Sequence, residues 1–171
     1  KALEIASKFS LPRIAEIGVG SGIISISLAL ELKNAKIIAT DISPDALKYA
    51  KINKDKFQVD IELIESNYLD KVNGDFDIII SNPPYIAANY PLDKWVLSEP
   101  KTALIGGQIG DEILKDIINL AKSRAKYLIC EMGYDQRESM KNYLDKLDFQ
   151  SEFYTDLAGL DRGFIAYNKG K

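Results

Sequence analysis

Asn82-Pro83-Pro84-Tyr85 places a side-chain amide, two backbone carbonyls on rigid prolines and an aromatic ring in four consecutive residues. Such a set can hold a planar –NH2 group: acceptors take its N–H bonds and a π-face lies against its plane. The chemistry this points to is reaction at an amide or amino nitrogen. The prolines restrict the backbone, so the acceptors are set before a ligand arrives. The tetrapeptide follows Phe76-Asp77-Ile78-Ile79-Ile80, an apolar run that reads as a buried strand. It therefore falls at a strand's carboxyl end, where open α/β sheets bind ligands.

A second constellation lies upstream, in Glu16-Ile17-Gly18-Val19-Gly20-Ser21-Gly22. Glycines between a strand and a helix admit positive φ and let a ligand approach the backbone, while the helix start offers free N–H groups. The alternative is a tight turn with no ligand. The spacing is Gly-x-Gly-x-Gly, unlike the Gly-x-Gly-x-x-Gly of dinucleotide folds, and the Lys and Ser/Thr of a phosphate loop are absent. Asp41 stands 19 positions after Gly22, just past the next strand. A carboxylate there can accept both hydroxyls of a ribose, or serve only as a helix-entry residue. Asn67, past the third strand, can meet an adenine amino group or simply turn the chain.

These residues need a frame. Strand patterns fall at 13–17, 36–40, 61–64, 76–80 and 126–130. Helical patterns fall at 21–33, from Pro44 to about Asn53, from Asp111 onward, and at 135–147. The helix at 21–33 is apolar almost all round (Ile23, Ile24, Ile26, Leu28, Leu30), which predicts burial. Ser43 can cap the next helix, with Pro44 at its first position. The helix after Asp111 carries Ile113, Leu114, Ile117, Ile118 and Ala121 on one stripe; the last one turns Met140, Tyr143, Leu144 and Leu147 inward. Alternating strands and helices imply parallel pairing with right-handed crossovers. Strands at 149–154 and 164–168 have no helix between them and should form an antiparallel hairpin. Residues 86–110 show little periodicity and read as one long loop, of the kind used for lids and binding.

Composition limits the chemistry. The chain has 171 residues, enough for one core, with 46% hydrophobic and 27% charged residues. There is no histidine, which removes Ser-His-Asp triads and His-based metal sites, and no metal is expected. The single cysteine, Cys130, sits in an apolar strand run and reads as a core residue in a reducing, cytoplasmic setting. No run is long enough for a membrane span and no signal peptide opens the chain. A net charge of −3 and a pI near 5.1 count against a nucleic-acid substrate. A helical pattern begins directly at Lys1, as in a chain cut from something longer.

The glycine turn, Asp41 and Asn67 resemble the class I S-adenosylmethionine-dependent methyltransferases, over Arg13 to Tyr167. That resemblance implies a Rossmann-like α/β fold, a seven-stranded, mostly parallel sheet with one antiparallel strand and helices on both faces. It implies that Glu16, Gly18, Gly20, Gly22, Asp41, Ile42, Asn67 and Asn82 hold S-adenosylmethionine, with S-adenosylhomocysteine as product. Within that class Asn-Pro-Pro-Tyr marks enzymes acting on planar nitrogen. Further stretches resemble the HemK (HemK/PrmC) family, glutamine N5-methyltransferases of peptide-chain release factors: Ser98-Glu99-Pro100-Lys101-Thr102-Ala103-Leu104, Gly106-Gly107-Gln108-Ile109-Gly110, Glu131-Met132-Gly133 and Asp156-Leu157-Ala158-Gly159-Leu160-Asp161-Arg162. Two departures are Ser98, where the family commonly has Phe, and Asn67, where many members have Asp.

What the resemblance implies is methyl transfer to the glutamine of a release factor's Gly-Gly-Gln. Asn82, Pro83 and Tyr85 would be catalytic, and Asn82, Pro83, Pro84, Tyr85 and Glu99 would bind the substrate. Tyr90 and Trp95 are candidates for peptide contact, Trp95 equally for core anchoring. Residues 1–171 would be the catalytic domain, monomeric, without the family's helical N-terminal domain. Two other readings stand beside it. One is a nucleobase methyltransferase, adenine-N6 for example, acting on RNA or DNA, in which Tyr85 stacks on a flipped base. The other is a cofactor-binding protein without turnover.

Overall fold

A computed structural model of the chain describes residues 1–91 and 103–171. The elements run α1 (Ala2–Ala6), β1 (Arg13–Ile17), α2 (Ile23–Glu31), β2 (Lys36–Asp41), α3 (Pro44–Phe57), β3 (Glu62–Glu65), β4 (Phe76–Ser81), β5 (Ile86–Ala87), β6 (Ile105–Gly107), α4 (Glu112–Arg124), β7 (Ala125–Glu131), α5 (Arg137–Lys146), β8 (Phe149–Thr155) and β9 (Asp161–Asn168). Seven strands form one sheet in the order β3-β2-β1-β4-β7-β9-β8. The first five are mutually parallel, and β9 runs antiparallel to both β7 and β8. Six strands therefore point one way and one the other, as expected for the class I methyltransferase fold.

The central strands are mostly apolar because both sheet faces are covered. Successive side chains go to opposite sides. Ile79 joins Ala15, Leu128 and Phe164 in a cluster with Leu114, Ile117 and Ile118 of α4 and Met140 and Leu144 of α5. Ile78 and Ile80 join Ile14, Ile37, Ile129 and Ile165 in the other cluster, with Ile5, Ile26, Leu28 and Ala50 from α1, α2 and α3. Burying each such side chain fully contributes about 1.5–3 kcal/mol. Ser43 caps α3 by accepting from the Ala46 N–H, and Pro44 opens the helix.

Two expectations need correction. The helix after the glycine turn starts at Ile23 rather than Ser21 and ends at Glu31. It is not buried all round: Ile23 is 71% and Leu30 38% exposed. Gly20 and Gly22 both have positive φ, which delays the helix, and α2 faces the sheet on one side only. Residues 86–110 are not one unstructured loop either. β5 and β6 pair in parallel as a separate two-stranded sheet. Strands of two and three residues carry no readable periodicity.

The chain leaves β1 toward β2 and β3 on one side of the sheet, and β4 lies on the other. Strand order therefore reverses between β1 and β4. Such a switch point opens a crevice at the strands' carboxyl ends. No described helix is long and apolar enough to cross a membrane.

Candidate active site

The glycine turn occupies one wall of this crevice. Gly18 and Val19 both donate their N–H to the Thr40 carbonyl at 2.9 Å, which folds the turn over the end of β2. Gly18 has φ +74° and Gly20 +53°, and a Cβ on either would meet nothing within 4 Å. Open space lies where side chains would otherwise stand. Gly22 differs: a Cβ there would meet Ile26 at 3.2 Å and Ala50 at 3.4 Å, so this glycine brings α2 close to α3.

Asp41, at the tip of β2, braces the turn. Its Oδ2 accepts from the Gly20 N–H and its Oδ1 from the Ser43 N–H, both at 2.9 Å. Each oxygen keeps a lone pair for a further donor. Ile42 beside it is 68% exposed. Asn67, one strand further, is exposed and donates to Asp70 at 3.2 Å. Glu16 lies beneath the turn, 2% exposed. Its Oε2 accepts from the Ser25 N–H at 3.0 Å and from the Ser25 hydroxyl. Burial lifts its carboxyl to about 7, against the pull of the Ser25 hydrogen bonds. Glu16 thus ties β1 to the start of α2 from below, whereas Gly18, Gly20, Asp41 and Ile42 stand at the crevice.

The opposite wall is the end of β4. Ile17 is paired with Ser81, and the Ser81 hydroxyl donates to the Ile17 carbonyl at 2.8 Å. Asn82 and Gly18 thus leave neighbouring parallel strands at the same level. Asn82 is exposed, Pro83 buried, and Pro84 and Tyr85 half-buried.

Tyr85 holds the segment at three points. Its hydroxyl donates to Glu131 Oε1 at 3.2 Å and accepts from Arg162 Nη1 at 3.3 Å. Its carbonyl accepts from Gln136 Nε2 at 3.0 Å. Burial, reinforced by Glu131, raises its phenol above the ordinary value. Arg162 is in turn held by Asp156 Oδ2 at 2.9 Å. The other Asp156 oxygen accepts from Ala158 and Leu160 N–H, which shapes the β8–β9 turn.

The second glycine stretch packs on the tetrapeptide. Ile86 N–H donates to Leu104 and Ala88 N–H to Gly107. A Cβ on Gly106 would stand 2.5 Å from the Pro84 carbonyl and 2.9 Å from Tyr85 Cα, so only glycine fits. Glu112 accepts from the Ile109 and Gly110 N–H at 2.9 Å each, which holds its carboxyl below the usual range. Gln136 joins the pieces: Nε2 also donates to the Gly110 carbonyl at 3.0 Å, and Oε1 accepts from the Gly133 N–H at 2.9 Å.

Gln136 is a site residue that sequence reasoning did not single out, and Arg162 was quoted only as the end of a family stretch, with no role of its own. A glutamine three residues past Gly133 at a helix start was the available signal, since that position invites a side chain back onto the preceding backbone. Glu99, Trp95 and the Ser98-Glu99-Pro100 stretch lie outside the described residues. A cavity of about 300 Å3 among Lys1, Lys8, Tyr127, Glu152 and Tyr167 lies away from both walls of the crevice.

Residues 3–97 match the family model described as methyltransferase small domain. The chain is 42% identical over 163 residues to a release factor glutamine methyltransferase of Dictyoglomus turgidum, covering 88% of this chain and 57% of that protein. It is 38% identical over 159 residues to the protein of the same name from Aquifex aeolicus, with the same coverage. The chain thus spans a little over half the length of these relatives. Among solved structures, the ribosomal protein L11 methylase of Lactobacillus delbrueckii subsp. bulgaricus superposes with a TM-score of 0.71 at 26% identity, covering 98% of this chain and 76% of that one.

Proposed function

The chain belongs to the methyltransferase small domain family, in its HemK branch, and we propose that it transfers a methyl group from S-adenosylmethionine to the side-chain amide nitrogen of a protein glutamine. The substrate of this reading is the Gly-Gly-Gln segment of a peptide-chain release factor, which the names of the relatives support. One observation carries the chemistry: Asn82-Pro83-Pro84-Tyr85 leaves β4 beside the open glycine turn of β1, at the switch point of the sheet.

The residues present suit the cofactor. Gly18 and Gly20 leave its approach clear, Asp41 offers carboxylate lone pairs to ribose hydroxyls, Ile42 an exposed apolar face to adenine, and Asn67 an amide at the adenine edge. When bound, S-adenosylmethionine supplies a sulfonium methyl, and the electrons of the broken C–S bond stay with sulfur in S-adenosylhomocysteine.

The chain's own contribution is positioning. An amide nitrogen is a poor nucleophile because its lone pair is delocalised. The Asn82 side-chain oxygen and the Pro83 carbonyl each accept one N–H, turning the lone pair toward the methyl and stabilising the positive charge that grows on nitrogen. The amide proton is released to solvent as the C–N bond completes. Tyr85, pinned by Glu131, Arg162 and Gln136, presents a ring that cannot drift.

Incubation with S-adenosylmethionine and either a release factor or ribosomal RNA tests this reading. Mass spectrometry of the digests should find one added methyl on the Gly-Gly-Gln glutamine. A methyl found on a base, with the protein unmodified, would overturn it in favour of the nucleobase reading.

A further inference from the structure

Beside Tyr85, on the flank bounded by β5, β6 and the end of β7, opens a cavity of about 400 Å3. Tyr85, Tyr90, Ile109, Asp111, Tyr134 and Arg162 are among the residues lining it. Three of these are large apolar side chains left in solvent: Tyr90 and Tyr134 are each 51% and Ile109 73% exposed. They come from three separate connections, after β5, after β6 and after β7. Single exposed hydrophobics are ordinary; three converging on one concavity mark a place where something docks.

The wall carries a second irregularity. Asp111 is 4% exposed, and its Oδ2 is engaged by Lys115 at 2.7 Å and Ser139 at 2.9 Å. Its Oδ1 is buried and has no hydrogen-bond partner among the described residues. Native proteins rarely leave such an atom unpaired, because the lost hydration is not replaced.

We infer that this cavity is a subsite for a side chain flanking the acceptor amide: an aromatic or long apolar residue within two positions of the methylated glutamine, preferred when its tip can donate a hydrogen bond. The inference rests on the glutamine reading above. Tyr85 lines the cavity and also belongs to the tetrapeptide that holds the amide, so the two lie side by side. An extended polypeptide advances about 3.3 Å per residue, which brings immediate neighbours over the cavity mouth. The charge pattern favours a polypeptide over a nucleic acid. Glu131 and Asp135 flank the region, while Arg162 is already paired with Asp156 and Lys115 with Asp111, which leaves no cation free there among the described residues. Phosphates on either side of a target base would meet carboxylates there.

The test is a peptide series in which each of the two residues before and after the glutamine is varied among Ala, Leu, Tyr and Glu. At one position kcat/KM should rise about tenfold for Leu or Tyr over Ala. Tyr134→Ser and Ile109→Ser should abolish that preference while affinity for S-adenosylhomocysteine stays unchanged. Peptides with Ala replacing the glutamine provide a readout free of turnover, since their binding should show the same preference by calorimetry. Methylation with no preference at any position would overturn the subsite and leave the glutamine reading standing. A binding preference without methylation would remove the glutamine reading and keep the subsite. Variants that keep the wild-type preference would place the contact elsewhere and sink the assignment.

Discussion

At the scale of single residues, Asn82 and Glu16 make opposite kinds of statement. Asn82 is exposed at the crevice, so its removal should disturb chemistry and little else. Asn82→Ala should lower turnover by roughly two to three decades, the usual scale for one preorganised polar group, with cofactor affinity within a few fold. Comparable turnover in a single-turnover assay would remove the role given to it. Glu16 is buried and works through stability. Burial raises its carboxyl from an ordinary 4.5 to about 7. Between those values the folded chain keeps a proton that the unfolded chain has released. Its contribution is therefore full below about pH 4.5 and is lost as pH rises through about 7. The linked penalty is on the order of 3 kcal/mol once the pH is well above 7. Glu16→Gln, which cannot ionise, should gain stability relative to the parent between pH 5 and pH 8 in urea titrations. A constant difference across that range would contradict the buried, proton-holding carboxyl.

At the scale of elements, the tetrapeptide is a strand end held from outside itself. β5 and β6 support it through backbone contact at Gly106, and Gln136, at the start of α5, closes the assembly. Gly106→Ala would push a methyl into the Pro84 carbonyl and Tyr85 Cα. The segment must then move or the core must accommodate strain of about 1–3 kcal/mol. We expect kcat/KM to fall at least tenfold, a loss typical of small misplacements in a positioning mechanism, while calorimetry finds S-adenosylhomocysteine binding unaltered. Equal loss of cofactor binding would show that the two walls of the crevice are not separable. The motifs quoted from the sequence acquire their reasons here. The Asp156-to-Arg162 turn holds Arg162 against the Tyr85 hydroxyl, and the Gly106-to-Gly110 stretch lets one backbone lie on another. Neither arrangement is visible in a linear reading, because each is a contact between separate segments of the chain.

At the scale of the whole molecule, stability should be graded from the middle of the sheet outward. β1, β4 and β7 are paired on both sides and packed on both faces, whereas β3 and β8 are edges. Amides of Ile14–Ile17 should exchange with solvent only on global opening, and those of Glu62–Glu65 on the order of a hundredfold faster. Uniform exchange across the sheet, followed by mass spectrometry, would refute this gradient. The count of seven strands came from the family resemblance; the sequence alone determined the order of the main strands and helices, their parallel pairing with a closing antiparallel hairpin, and the positions of Gly18, Gly20, Asp41 and Asn82 at strand tips. Those follow from local periodicity and punctuation, which a chain carries whatever it packs against. Helix α2's exposed side, the β5–β6 pair, the Gln136 and Arg162 anchors, the burial of Glu16 and the cavity beside Tyr85 were decided only by tertiary structure. Each depends on which distant groups exclude water from one another, and no window of the sequence contains both partners.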